Sequence, residues 1–114
     1  MQAKDAYDMA LLLRNYLDIN TERVVNEHYE LYEADEFDQV IAGAQLMARD
    51  ITLLVRKNEK TLGYLIGILN KEIELAEESP LINQLVESDV SMKYERTLAC
   101  LEAMLKEWES LVMR

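Results

Sequence analysis

Ala6, Met9, Ala10, Leu13, Tyr16 and Leu17 recur at intervals of three and four. At ~100° per residue such positions fall on one side of a helix, so the pattern predicts a first helix over about residues 3–17. "DINTER" interrupts it, with Asn20 or Thr21 as the N-cap of the next helix. A second helix is expected over about residues 22–33, with Val24, Val25, His28, Tyr29, Leu31 and Tyr32 on its apolar side. Asp35 then fits the N-cap of a third helix, with Asp38 at its third position. That helix should turn Phe37, Val40, Ile41, Ala44, Met47, Ala48, Ile51, Leu54 and Val55 inward. Asn58 caps a fourth, over about residues 59–78, which buries Leu62, Leu65, Ile66, Leu69, Ile73 and Ala76. Ser79 and Pro80 open a short helix carrying Leu81, Ile82, Leu85 and Val86. Ser91 starts the last, over about residues 91–113, with Tyr94, Leu98, Leu101, Leu105, Trp108 and Val112 facing inward.

Three glycines and one proline in 114 residues leave little turn chemistry for a sheet. The expected fold is all-α: one domain over residues 1–114, a compact bundle of four long helices plus one short helix.

Two helices carry more apolar surface than one core needs. On the third, Ala42, Leu46 and Leu53 lie roughly opposite the main face; on the fourth, Tyr64, Ile68 and Leu75 make a second strip. A helix apolar nearly all round is buried on two sides, either centrally in the bundle or against another chain. Burying such a side chain is worth roughly 1.5–3 kcal/mol, and five left exposed together would be adhesive. Leu46, Leu53, Tyr64, Ile68 and Leu75 are therefore the expected interaction surface. At least one strip should meet a second chain, most simply an identical copy in a twofold dimer.

Charge narrows the partners. Twenty-two acids against 12 bases give −10 at pH 7. Such a surface repels phosphate backbones and anionic lipid, so neither nucleic acid nor membrane is expected, and a basic protein is the partner it suits. The lone Cys100 excludes an internal disulfide and a cysteine-based zinc site. The longest apolar run, "LGYLIGIL" at 62–69, is too short to span a bilayer. A cytoplasmic location is the expectation.

Candidate chemistry concentrates in "RVVNEHYELYEADEFDQV", residues 23–40. His28, the single histidine, falls among Val24, Leu31 and Tyr32, which points to a core imidazole with hydrogen-bonded nitrogens. Glu27 and Glu30 stand one helical turn apart, a spacing that can hold Mg²⁺. "NEHYELYEA" resembles the Glu-x-x-Glu segment of the MazG-like all-α nucleotide pyrophosphohydrolases, which complete their site with Glu-x-x-Asp on the next helix. "LMARDITLLV" is similar in shape and offers Asp50, but Met47 stands where that pattern has its glutamate. The resemblance implies an alternative function, Mg²⁺-dependent nucleotide pyrophosphohydrolysis at Glu27, Glu30 and Asp50, in complete or degenerate form. Arg23 and His28 form an Arg-x4-His run that resembles the catalytic motif of the HEPN ribonucleases, and "LYEADEFDQVIAGAQ" resembles a single tetratricopeptide helix pair. Gly63 and Gly67 are spaced to let two backbones approach. The leading expectation is non-enzymatic: no catalytic residue, no cofactor, and a small acidic module of chaperone, immunity or inhibitor type that self-associates or covers a partner protein.

Overall fold

The computed structural model describes residues 3–112, with side chains described for residues 4–110. Among them are six α-helices and no strand: α1 (Ala3–Ile19), α2 (Thr21–Glu27), α3 (Gln39–Val55), α4 (Glu59–Leu75), α5 (Pro80–Ser88) and α6 (Tyr94–Val112). Short 3-10 turns follow α2 (Tyr29–Glu33) and α4 (Ala76–Glu78). The all-α expectation holds. The four long helices are α1, α3, α4 and α6, but there are two short helices where one was expected. None of the helices is long and apolar enough to cross a membrane.

α3 is central, packed on α1 along one side and on α6 along the other. α5 closes against α1, and α4 lies at the edge, resting mainly on α6. Gly43 lets α1 and α3 approach: a Cβ there would stand 3.0 Å from the Leu13 carbonyl oxygen. The main core runs from Ala6, Ala10 and Leu13 through Ala44, Met47 and Ala48 to Leu101, Met104 and Trp108. Trp108 also donates its indole N–H to the Ala48 carbonyl at 3.0 Å, so the buried ring loses no hydrogen bond. The radius of gyration, 13.8 Å, is close to the roughly 13 Å of a compact chain this long.

Four boundaries differ from the sequence expectation. The second helix does not run unbroken to residue 33. It stops at His28, whose backbone leaves helical geometry (φ −137°, ψ 34°), and resumes as the 3-10 turn. Val24, Val25, Asn26 and His28 are weak helix formers, and a segment this short has little helical stability of its own. The third helix is capped by Asp38, not Asp35. The Asp38 carboxylate accepts from the amides of Val40 (2.8 Å) and Ile41 (3.2 Å), and also takes an ion pair from Arg96 on α6. Phe37 is therefore outside the helix, against the Tyr32 ring at 5.7 Å and partly exposed. α6 starts at Tyr94, not Ser91; Ser91 lies in a turn held by Asp89, which accepts from its amide and its hydroxyl. Ser79 caps α5 with Pro80 in its first turn, as expected.

α4 ends abruptly. Ala76 takes φ 51°, ψ −118°, a left-handed φ that alanine rarely adopts, and the expected run to residue 78 becomes a 3-10 turn.

Candidate interaction surface

The segment from α2 through its 3-10 turn covers the side of α3 that faces away from α6. Leu17, Val24, Leu31, Ala42 and Leu46 form a second, smaller core there. Leu46 is fully buried in it, so this residue belongs to the domain's own core and not to an interaction surface. The extra apolar strip of α3 is explained by central placement. Leu53, one heptad further on, lies beyond that cover and is 61% exposed.

The second strip of α4 is unlike that of α3. Tyr64 is 71% exposed, and Ile68 and Leu75 are a little over one-third exposed. Gly63 and Gly67 lie beside them in solvent, and no described atom comes within 4 Å of where a Cβ would stand on either. Lys60, Asn70, Lys71 and Glu74 complete this exposed face. Each glycine inside a helix costs about 1 kcal/mol relative to alanine. Gly43 has an internal reason for its place; Gly63 and Gly67 have none among the described residues.

The acids of the metal reading do not converge. Asp50 accepts two hydrogen bonds from the Arg23 guanidinium, at 2.9 and 2.7 Å, and one from the Tyr16 hydroxyl. Burial alone would push the Asp50 carboxyl up, but the bonds from Arg23 and Tyr16 outweigh it and hold the group below the ordinary carboxylate range. Burial, with the Asp50 bond, pushes the Tyr16 phenol up to about 12. Glu30 pairs with a different arginine, Arg49, whose hydrogen bond lowers the Glu30 pKa. Glu27 is exposed on α2. Met47, where the MazG-like pattern has glutamate, is in the main core. Among the described residues no group of three His, Cys, Asp or Glu side chains is placed to hold a metal ion.

Arg23 and His28 serve separate networks. Arg49 donates to His28 Nδ1 at 2.9 Å and to Glu107 at 3.0 Å, so the neutral imidazole carries its proton on Nε2. His28 is half-buried at the α2 break, not in the middle of an apolar face. Cys100 is fully buried. Burial, aided by the charge of Asp38, pushes its thiol up to about 12, which removes it as a nucleophile.

Sequence reasoning did not anticipate these arginine networks. Arg14 reaches Asp89, Arg23 reaches Asp50, Arg49 reaches Glu30 and Glu107, and Arg96 reaches Asp38. The partners are 19 to 75 positions apart, beyond any helical spacing. No protein-family model matches the chain, no curated protein is significantly similar to it, and no solved structure matches its fold.

Proposed function

We propose that this chain is a non-enzymatic protein–protein interaction module whose working surface is the outer face of α4. The observation that carries the reading is the exposed strip of Tyr64, Ile68 and Leu75 beside two solvent-facing glycines. On a free helix face an apolar side chain leaves its burial energy unrealised and a glycine costs backbone entropy. A docked helix offsets both costs, because glycine lets its backbone come close while the flanking side chains are buried. The net charge of −10 favours protein over polyanionic partners. The acids of the nucleotide-hydrolysis alternative are committed to arginines or to solvent and do not converge on a shared point.

A photoreactive phenylalanine in place of Tyr64 tests the reading. After illumination in cells it should give discrete protein adducts, and the same group in place of the exposed Lys93 on the α5–α6 turn should not. No adduct of any kind from position 64 would remove the α4 face as a working surface.

A further inference from the structure

We infer that the occupant of this face is α4 of a second copy of the chain, running antiparallel about a twofold axis that passes beside Gly67. The inference rests on the interaction reading above and gives that surface its partner. The charges along α4 choose both partner and direction. Arg56, Lys57 and Lys60 outnumber Glu59 at its N-terminal end, and Glu74, Glu77 and Glu78 outnumber Lys71 at its C-terminal end. All eight are exposed, and none is in an ion pair among the described residues. By contrast Arg14, Arg23, Arg49 and Arg96 are each matched to an internal carboxylate.

An antiparallel twofold centred on Gly67 sets residues equidistant from it opposite each other. Lys60 then faces the second copy's Glu74, and this pairing, the one within the regular helix, occurs twice. Arg56 and Lys57 before the helix, and Glu77 and Glu78 after the bend at Ala76, add basic charge at one end and acidic charge at the other without a residue-by-residue register. A parallel arrangement would instead set base on base and acid on acid.

The same operation keeps each flank of the helix with itself. Tyr64 and Ile68 lie on one flank of the Gly63–Gly67 line, so they meet the Tyr64 and Ile68 of the second copy. Gly67 meets the second copy's Gly67 at the axis, and Gly63 leaves room for the stem of its Lys71, so the axes can come closer than the usual separation of about 8–10 Å and the apolar flank is buried as they do. Exposed ion pairs contribute little affinity but fix direction and register. A self-complementary patch of this kind closes as an isologous dimer and leaves no free copy of the surface.

The full-length protein at low ionic strength tests the inference by sedimentation equilibrium. Wild type should be dimeric, and the effects of the charge reversals that follow should shrink as salt rises. Lys60→Glu alone and Glu74→Lys alone each set like charges opposite one another, and each should weaken the dimer by about tenfold or more. An equimolar mixture of these two variants should recover association as a heterodimer, because opposite charges again face each other at both pairs. Gly63→Ala with Gly67→Ala should raise the melting temperature of the dilute monomer and also weaken the dimer, a combination that a misfolding variant cannot give. A monomeric wild type, single variants that associate like wild type, or a mixture that stays monomeric would overturn the inference. If position 64 still gave adducts with other proteins in that event, the α4 surface would stand and its self-pairing would fall. If it gave none, both would fall.

Discussion

Ala76 carries the one positive φ among the described non-glycine residues. A residue held in such a region stores about 1–3 kcal/mol of strain, and it persists because the surroundings hold it there. The Ala76 amide donates to Ile73 and its carbonyl accepts from Ser79, and Ser79 in turn caps α5. The bend delivers the chain from the edge helix into the helix that closes on α1. Ala76→Gly relieves the strain but gives the unfolded chain more freedom. The net expectation is a gain of about 1 kcal/mol, read as a higher urea midpoint with unchanged slope. A lower midpoint would mean that the alanine methyl contributes more than its backbone costs. Nothing in the sequence marked this position: "ELAEESP" reads as an unbroken helix up to its proline.

At the scale of elements, what was legible depended on what a local pattern can encode. The apolar stripes of α1, α3, α4 and α6 recur every three or four residues, and the sequence located these four helices to within a few positions. The caps at Asn58 and Ser79 were readable for the same reason, since each bonds to an amide three residues ahead. The sequence pattern places the cap of α3 at Asp35, with Asp38 at its third position. The choice went to Asp38, which can also bind Arg96, a partner 58 residues away. The break at His28 follows weak helix formers that the sequence does show, and the Arg49 contact made there, 21 positions away, is one it does not. The extra strips on α3 and α4 looked alike in sequence and proved different. Leu46 is covered by α2 and its 3-10 turn, an arrangement set by the tertiary fold, whereas nothing described covers Tyr64. Periodicity shows that a face is apolar but not what lies against it.

For the whole molecule, the ionic ties set the pH range of stability. Asp50, Asp89 and Glu30 all titrate below the ordinary carboxylate range in the folded chain, Asp89 through its bonds to Ser91 and the charge of Arg14. Their stabilisation is fully present above the unfolded pKa values of about 4 and is lost as pH falls through the folded values. Cys100 and Tyr16 behave in the opposite sense: raised from 9.0 and 10.0 to about 12, they favour the fold fully below pH 9 and lose that contribution as pH climbs toward 12. Urea midpoints should therefore form a plateau that drops on both sides, and a midpoint that climbs below pH 4 would contradict the assignment. The internal ties share one further property. Every ion pair among the described residues is made by arginine, and all six lysines are exposed. The cations that hold the fold are thus chemically distinct from those left on the surface. Acetylation erases lysine charge and spares arginine, so the fold should be indifferent to it, whereas the inferred pairing through Lys60 should respond. Exhaustive acetylation should leave the circular dichroism helical and loosen a dimer oriented by Lys60 without dissolving it; lost helicity would show that lysines also maintain the fold. Lysine chemistry and fold chemistry are thus separable: the charge on the α4 face can be rewritten while the arginine ties that hold the helices together stay in place.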